Sequence, residues 1–425
     1  MLSITHAGVV GWAVGSIEFD YPKKMTFVIS CRGESGSTID TQKRMGVEMQ
    51  NFSYDNAASR LRIMLRFSAR TKHQFALILL LFCLTLPAVA QVDLNVHPAP
   101  DFGEGVVWLD EGAPAPHHIA DYRGKVVLVD FWEYTCINCI RDFGVVKRWY
   151  TKYHPYGFEV IGVHYGEFNI GFDVNNVKEA AQRFKLPWPV VADQKGTTWK
   201  AYQADGWPER FLIDPKGQIV MKVFGEGNNL QMETKIRELL AVAHPEVMKI
   251  ALDPAEDAFK PECGNTTQET YVGEVHGRGS VEDMDGHRAG EEVDFMPPHS
   301  PADGAVELVG RWKIENDGVT SEGKGAGAEV RYHARSMYAV LNLTGAKQVR
   351  VNLFQDGAPM PKDDAGADVK FDAKGAYLDV TQGRAYYVVR SPRFTAHLIS
   401  LEPESPGLTL HSFTYGNNCQ LQDQP

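Results

Sequence analysis

The sequence predicts two successive folded domains, an α/β domain and an all-β sandwich. Between Pro98 and His244, β-branched apolar runs alternate with segments of helical periodicity, which indicates a central sheet covered by helices on both faces. Between Glu269 and Gly416, short runs of alternating apolar residues are separated by Gly, Asp and Pro, which is typical of a β-sandwich or jelly roll. Separate short strands are expected here at 328–334, 336–343, 384–390 and 395–401, and a strong turn at Gln355–Pro359. The 425 residues are enough for two domains, and the net charge of −11 argues against a nucleic-acid partner.

An apolar segment precedes both predicted domains. Arg70 to Gln91 combines a basic flank, an apolar run, the helix-breaking Pro87 and an Ala-x-Ala ending at Ala90, which is the anatomy of a secretory signal peptide cleaved before Gln91. The alternative is an uncleaved membrane anchor, although the apolar run is shorter than the roughly twenty residues of a typical span. Under both interpretations, the chain from Gln91 onward is expected to be periplasmic or secreted, in an oxidising compartment.

The position of this segment is unusual, because signal peptides open a chain. Met64 begins a well-formed start, MLRFSARTKHQF. We therefore expect residues 64–90 to be the signal peptide and residues 1–63 to be upstream sequence from a misplaced start codon.

The α/β domain is expected over residues 91–245, and each of its elements has its own sequence signal. The run 124–131 is β-branched and predicts a buried strand, followed by a helix at 142–153. A hairpin is predicted at 209–227, because Pro, Lys and Gly at 215–217 separate two strand-like runs. The other predicted elements are a strand at 158–165, a helix at 175–186, a short strand at 188–193 and a closing amphipathic helix at 232–243.

Cys136 and Cys139 lie three positions apart, where the buried strand ends and the helix begins. Unpaired backbone N–H groups and the positive end of the helix dipole favour a thiolate there, so we expect a lowered pKa for Cys136 and assign it as the nucleophile. Cys139, one turn further in, would then break the mixed disulfide as the resolving thiol. The pair predicts thiol–disulfide exchange that needs no cofactor.

Metal binding is the alternative for such a pair, since two CxxC pairs together ligate zinc. The other four cysteines of the chain are isolated from one another, which disfavours a zinc site. A copper-binding pair completed by His164 is a further, minor alternative.

The region around the pair resembles a thioredoxin-fold domain of the periplasmic TlpA and DipZ type. The strand leading into the pair, the segment 206–214, and the closing hairpin and helix stand in the order of this family. In DipZ-type proteins the motif also reads aromatic-x-Tyr-Thr/Ser-Cys-Ile-Asn-Cys, which this chain carries from Trp132 to Cys139. The resemblance implies a thioredoxin fold and thiol–disulfide oxidoreductase activity. Thioredoxin itself encloses Gly-Pro between its cysteines, so its potential does not transfer to this chain.

The resemblance also implies roles for residues near the pair. Pro208 matches the proline that faces the cysteines in this family, which implies a cis bond and leaves the backbone of Trp207 to bind an extended substrate. The alternative is an ordinary trans proline in a loop. Asp130 matches the buried acid of thioredoxins, so we expect a raised pKa and proton transfer from Cys139, against the alternative of a solvated carboxylate. Glu133 is a second candidate for that role.

Three further side chains are candidates for substrate contact. His164 and Glu167 follow the second buried strand, and ligands of open α/β sheets gather beyond the carboxyl ends of strands. The alternative is that both are solvent-exposed loop residues. Tyr134 is assigned to the core or to the rim of the site.

A linker is expected over 246–268, where prolines and mixed charge interrupt the periodicity, and the sandwich over 269–417. DipZ-type proteins continue into a similar β-sandwich that resembles carbohydrate-binding modules, and the ETYVG opening and SFTYG ending of this region fit that extension. The resemblance makes carbohydrate a candidate ligand. Trp312 and Tyr386 could stack on a sugar if they are exposed, but aromatic residues of a sandwich more often pack in its core, and core packing is the favoured interpretation.

The combined expectation is a reductase of protein disulfides. DipZ-type proteins carry a membrane-embedded domain that delivers electrons, and none is recognised in this sequence, so a separate membrane-embedded reductase is the expected electron donor. Two alternatives stay open: a disulfide oxidant or isomerase, and a carbohydrate-binding protein whose thioredoxin domain only tethers a partner.

We predict a structural disulfide between Cys263 and Cys419, which flank the first and last strands of the sandwich in the exported part of the chain. Loop-entropy arguments give about 4–5 kcal/mol of stabilisation as an upper value. The alternative is two free or intermolecular thiols. A peptide map under non-reducing conditions tests the bridge, and recovery of both cysteines as unlinked, alkylatable thiols would rule it out.

Overall fold

The computed structural model describes residues 12–19, 25–32, 92–93, 97–109, 118–253, 265–275, 281, 284, 286–296 and 301–416, the first three of these ranges by their backbone. Two units can be distinguished, residues 1–89 and residues 90–425. In the first unit, β1 (Trp12–Phe19) and β2 (Met25–Arg32) pair in antiparallel fashion. The predicted signal peptide, its cleavage site before Gln91, and both Cys263 and Cys419 lie outside the described residues. Within the described part of the chain, no helix has the length and apolarity that crossing a membrane requires.

The α/β domain is built on one mixed sheet. Its strands are β3 (Val92–Asp93), β4 (His97–Pro98), β5 (Val107–Trp108), β6 (Val126–Trp132), β7 (Phe158–His164), β8 (Val190–Ala192), β9 (Glu209–Ile213) and β10 (Gln218–Phe224). Its α-helices are α1 (Ile137–Tyr153), α2 (Val174–Arg183), α3 (Thr197–Tyr202) and α4 (Asn229–Leu240), and 3-10 helices cover Ile119–Tyr122, His154–Tyr156, Asn169–Phe172 and Pro245–Lys249.

The order of strands in the described sheet is β3-β10-β9-β6-β7-β8-β5, with β4 also paired to β10. Strands β6, β7 and β8 are parallel, whereas β9 and β10 form the predicted antiparallel hairpin beside β6. Every residue of β6 is buried, and its alternate side chains enter two different apolar clusters, Leu128 on one face and Val129 on the other. The continuous apolar run of this strand follows from its central place in a sheet covered on both faces.

The short helix α3 was not predicted from the sequence. It begins after Gly196, whose φ of 63° lies in the left-handed region that glycine adopts readily. The carboxylate of Asp193 accepts hydrogen bonds from the backbone N–H groups of Thr197 and Trp199, at 2.9 and 2.8 Å. These bonds satisfy N–H groups that would be unpaired in the first turn, so a side chain outside the helix stabilises its start.

The second domain is one extended antiparallel sheet closed around its own apolar core, as predicted for a sandwich. Its strands are β11 (Thr270–Tyr271), β12 (Glu292–Phe295), β13 (Val306–Ile314), β14 (Val319–Ser321), β15 (Gly327–Leu343), β16 (Val349–Gln355), β17 (Ala358–Pro359), β18 (Lys370–Asp372), β19 (Gly375–Val380), β20 (Arg384–Pro403) and β21 (Leu408–Gly416). A 3-10 helix covers Lys362–Asp364, and the strand order of the described residues is β11-β21-β14-β13-β15-β20-β16-β19-β18, with β12 beside β13 and β17 beside β16.

Two long strands replace four predicted short ones. Strands β15 and β20 pair along most of their length, and their register shifts where Ala334 faces Thr395 and Ser336 faces Arg390. The residues between Arg390 and Thr395 therefore form a bulge, which accommodates Pro392 without a lost ladder bond. The breaks in the apolar pattern that separated the predicted short strands therefore mark this bulge, and the chain does not reverse there. The predicted turn at Gln355–Pro359 is confirmed, with positive φ at Asp356 and Gly357.

The core of the sandwich contains both aromatic residues that were considered for sugar stacking. Trp312 and Tyr386 are buried, and the indole N–H of Trp312 donates to the backbone oxygen of Val309 at 2.8 Å. Core packing, the interpretation that the sequence favoured for these two residues, is therefore confirmed, and neither ring is exposed for stacking on a sugar.

The sandwich packs directly against the α/β domain. Tyr338 and Tyr387, stacked with ring centroids 4.4 Å apart, belong to the same apolar cluster as α1. Nearby, the backbone N–H of Asn169 donates to the carboxylate of Asp317 at 2.6 Å. The face of the α/β domain that carries the cysteine pair is thus partly covered by the second domain.

Candidate active site

The turn between β6 and α1 positions the two cysteines. Cys136 is the N-cap of α1, and Cys139 lies in the first turn of the helix. The buried carboxylate of Glu133 accepts hydrogen bonds from the backbone N–H groups of Thr135 and Cys136, the latter at 3.0 Å, and from the hydroxyl of Thr135. Glu133 therefore supplies the negative charge and the acceptor that the start of this helix requires. Its role in the structure is to hold the turn.

A second layer of contacts supports the turn from beneath. His164 is buried at the end of β7, with its Nε2 3.6 Å from the carboxylate of Glu133, and it accepts from the backbone N–H of Tyr134 at 3.3 Å. Tyr134 is also buried, and its hydroxyl donates to the backbone oxygen of Ile170 at 3.0 Å. The structure thus places both residues in the core under the pair, and neither lines an open surface. For His164, both the expected contact with substrate and the alternative of a solvent-exposed loop residue are therefore wrong, whereas Tyr134 lies in the core, which was one of its two assigned places and excludes the expected contact with substrate.

The loop before β9 faces the nucleophile. The bond between Trp207 and Pro208 is cis, as the resemblance implied. The half-buried Sγ of Cys136 lies 3.8 Å from the backbone oxygen of Trp207, while Cys139 is fully buried behind it. Both cysteines are free thiols in this structure. An extended substrate that reaches Cys136 would therefore pass beside the Trp207 backbone.

Asp130 lies beneath the pair, as predicted. It is buried, and its Oδ1 makes no hydrogen bond within the described part of the chain. Burial, and then the charge of Asp142, raise the pKa of Asp130 to about 8 despite the neighbouring Arg210. Asp130 is therefore protonated at neutral pH and becomes a carboxylate only in mildly alkaline solution, in the range where a base for a thiol is most effective.

Asp142 and Arg210 were not identified as site residues from the sequence. Arg210 faces Asp130 across β6 and β9, and its guanidinium lies 3.1 Å from the carboxylate of Asp142 on α1. The available signal was a charged residue at an inward position of two apolar elements, which is rare unless the charge is paired. The pairing itself depends on strand and helix placement that local patterns do not give.

The pKa of Cys136 is shifted in the direction opposite to the one that the sequence predicted. The hydrogen bond from Cys139 lowers the pKa of Cys136, but burial and the charge of Glu269 raise it, and the net shift is upward. Burial, followed by the hydrogen bond with Cys136, raises the pKa of Cys139 well above its usual range. The predicted lowering for Cys136 is therefore wrong. The helix N-terminus is present, but the pair is too poorly hydrated, and too close to carboxylates, for a thiolate to be favoured.

A cavity of about 230 Å³ opens beside Cys136, and both domains contribute to its walls. Here the hydroxyl of Tyr271 donates to the carboxylate of Glu167 at 2.7 Å, and the hydroxyl of Thr414 donates to Glu269 at 2.7 Å. The complete lining is Cys136, Ile137, Asn138, Glu167, Gly206, Trp207, Glu269, Tyr271 and Thr414. Glu167 and Trp207 thus lie at the cavity as predicted, whereas the contribution of the sandwich was not foreseen.

The described residues contain no group of three or more His, Cys, Asp and Glu side chains placed to hold a metal ion. His164, the residue considered for copper, instead contacts Glu133 and Tyr134.

Both domains match known protein families. Residues 97–222 match the model of the AhpC/TSA family, and residues 267–416 match the model described as a thioredoxin-like C-terminal domain. The chain is 33% identical over 323 residues to protein DipZ of Mycobacterium tuberculosis, which covers 75% of this chain and 43% of that protein. The chain therefore spans less than half of the length of this relative.

Two shorter proteins each match about a third of the chain. The thiol-disulfide oxidoreductase ResA of Geobacillus thermodenitrificans is 33% identical over 127 residues, or 30% of this chain and 67% of ResA. A solved thiol:disulfide interchange protein of the thioredoxin family, from Chlorobium tepidum TLS, has 21% identity and a TM-score of 0.30, and it covers 35% of this chain and 99% of its own.

Substitution of the two cysteines separates their roles. We expect Cys136→Ser to abolish dithiol turnover and Cys139→Ser to accumulate a mixed disulfide, because only the latter keeps the attacking sulfur. Mass spectrometry of the quenched reaction under non-reducing conditions measures both outcomes. Reduction of a model disulfide by Cys136→Ser at the wild-type rate would show that the nucleophile is misassigned.

Replacement of the buried acid, Asp130→Asn, should slow resolution of the mixed disulfide about 100-fold at pH 8, because the base for Cys139 is lost. The wild-type rate should rise with pH toward the pKa of about 8, and this rise should be absent in the variant. Rapid-quench measurement from pH 6 to pH 9 gives both profiles. The exposed Asp363→Asn is the matched control.

The same substitution should stabilise the fold at alkaline pH. The pKa of Asp130 is raised from 3.8 to about 8, so wild-type stability falls as pH rises between these values, while the neutral Asn is unaffected. Urea unfolding should show Asp130→Asn to be more stable than wild type at pH 8, with a smaller difference at pH 5. Equal stabilities at pH 8 would contradict the burial of this charge.

Proposed function

Because the chain belongs to the thioredoxin-like thiol–disulfide oxidoreductases of the TlpA/DipZ type, we propose that it acts as a reductase of protein disulfides through Cys136 and Cys139. Cys136 is the nucleophile, because its Sγ is half-buried at the cavity, and Cys139 is the buried resolving thiol. In each turnover the two thiols give two electrons and two protons to a substrate disulfide, and they become a disulfide themselves.

The direction of the reaction rests on one observation, the burial of the pair among carboxyl groups, which raises the pKa of both thiols. A strongly oxidising pair gains its potential from a stabilised reduced form, in which the nucleophile is a thiolate of low pKa. Burial and nearby carboxylates work against such a thiolate here, so the reduced form has no comparable stabilisation. The pair is therefore the better electron donor, which disfavours an oxidant or isomerase role.

Proton transfer completes the cycle inside the protein. Cys139 must lose its proton to attack the mixed disulfide, and its high pKa makes an internal base necessary. Asp130 is buried beneath the pair, carries an unpaired oxygen within the described residues, and has a pKa near 8. We assign Asp130 as this base and Pro208, with the adjacent Trp207 backbone, as the surface that orients the substrate chain.

We also propose a compartment and an electron donor for this protein. The signal-peptide pattern at residues 64–90, together with family membership, supports a periplasmic or exported protein. A membrane-embedded reductase is the proposed electron donor, since an exported dithiol must be reduced again after each turnover. A carbohydrate ligand is not included in the proposal, because Trp312 and Tyr386 are buried in the core.

The reduction potential of the Cys136–Cys139 couple tests the proposed direction. We expect a value near that of thioredoxin, about −270 mV, because neither thiol is stabilised as a thiolate. Equilibration of the full chain with reduced and oxidised dithiothreitol, followed by trapping of free thiols, measures it. A value near about −120 mV would assign the chain to the oxidants.

A further inference from the structure

We propose that Glu269 of the sandwich is a specificity-determining residue of the redox site, and that with Glu167 it favours cationic and neutral disulfides over anionic ones. The inference deepens the proposed reductase function and rests on it. Together, the carboxylates of Glu167 and Glu269 form an acidic wall of the cavity.

The acidic wall lies at the nucleophile itself. Both glutamates line the cavity of about 230 Å³ that also contains the Cys136 thiol, so a substrate disulfide in contact with the thiol must pass close to them. Both carboxyl groups lie within electrostatic range of the reacting sulfur, and Glu269 has the larger effect on the pKa of Cys136.

Hydrogen bonds from the sandwich hold the wall in place. Tyr271 donates to Glu167 at 2.7 Å, and Thr414 donates to Glu269 at 2.7 Å. Because hydroxyl donors bring no positive charge, these bonds fix the wall in position without neutralising it. The second domain is thus a structural part of the redox site.

No cation of the described residues neutralises the wall by direct contact. Arg141 is the basic residue whose charge reaches Glu269, but its guanidinium is already paired with Glu226, with two contacts at 2.8 Å. The buried carboxylate of Glu133 is also nearby and adds to the negative potential. The cavity beside Cys136 is therefore electronegative.

The two glutamates differ in hydration. Burial, and then the charge of Glu269, raise the pKa of Glu167 to about 8, so Glu167 is largely protonated at neutral pH. Partial loss of hydration also raises the pKa of Glu269, but this residue is exposed at the rim of the cavity. Solvent favours the charged form of Glu269 over that of the more buried Glu167, so we expect the charge of the wall to depend mainly on Glu269.

Selectivity follows from the charge on the incoming disulfide. An ammonium or guanidinium group next to the disulfide would approach Glu269 favourably, whereas a carboxylate would be repelled. The substrate class is a disulfide flanked by Lys or Arg side chains, or by neutral ones. Anionic small disulfides are expected to react poorly, which would keep the reducing equivalents for protein substrates.

The test is a single-turnover reaction of the pre-reduced full chain at pH 7 with three small disulfides: cationic cystamine, neutral bis(2-hydroxyethyl) disulfide and anionic dithiodiglycolate. Each reaction oxidises the protein dithiol and releases two substrate thiols, so no further reductant is needed. We expect the ratio of cystamine to dithiodiglycolate rate constants to fall about fivefold in Glu269→Gln, the size of a partly screened charge interaction. It should fall further in Glu269→Lys and stay unchanged in the control Glu322→Gln, an exposed glutamate outside the cavity lining.

Each variant is compared with wild type by its ratio of cystamine to dithiodiglycolate rate constants. Differences in intrinsic reactivity between the disulfides, and any change in the pKa of Cys136, therefore cancel. The wild-type chain gives a second check that needs no substitution, because its ratio should shrink as ionic strength rises from about 0.01 M to about 1 M. If wild type reduces the neutral disulfide but its ratio responds to neither salt nor Glu269→Gln, the selectivity inference is overturned and the reductase proposal stands. If wild type fails to reduce the neutral disulfide, both are overturned.

Discussion

The loss of hydration around Cys136 and Cys139 determines the chemistry of this protein. The sandwich covers one side of the pair, β6 and the Glu133 turn support the other, and the carboxyl groups of Asp130 and Glu167 share the same poorly hydrated region. In such surroundings the charged forms of thiols and carboxylic acids are both disfavoured. Consequently the pKa values of the thiols, of Asp130 and of Glu167 all move upward, and a set of neutral, protonated groups is held together near neutral pH.

This arrangement places one titratable acid on each side of the pair. Asp130 lies under the resolving thiol, and Glu167 lies in the cavity on the side of the nucleophile, each with a pKa near 8. Thiol–disulfide exchange moves a proton with every thiol that is consumed or released. Acids of this pKa can give and take protons at pH 7 to 8 with little energetic cost in either direction. The geometry therefore suits a cysteine pair that alternates between its dithiol and disulfide forms without a solvent-exposed thiolate.

Local patterns in the sequence predicted most of the fold. The buried run of β6, the hairpin of β9 and β10, and the Asp356-Gly357 turn each carry a signal within a few neighbouring residues. Features that depend on long-range contacts were harder to predict from the sequence. The bulge that joins two predicted strands into β20, and the Asp193 contacts that start α3, depend on partners that periodicity does not reveal. The positions of the cysteine pair and of Asp130 were predictable because motif and family order specify them.

The electrostatics of the site were not predictable in the same way. A helix N-terminus alone implied a lowered pKa for Cys136, but burial of the thiol, and then the charge of Glu269 more than a hundred residues away in the sequence, raise it. Domain packing brings that charge to the thiol, and no local pattern encodes it. His164 shows the same limitation, because its place at a strand end implied an open position and the turn above it makes it a core residue.

The most direct test of this desolvated redox pair is the pKa of Cys136 in the reduced full chain, measured from the pH dependence of its alkylation by iodoacetamide. Cys139 is buried, so Cys136 should account for the observed rate, and mass spectrometry identifies the modified residue. We predict a midpoint above the ordinary value of about 8.5. A midpoint below about 7.5, as in activated cysteines at helix N-termini, would contradict the loss of hydration on which the proposed chemistry depends.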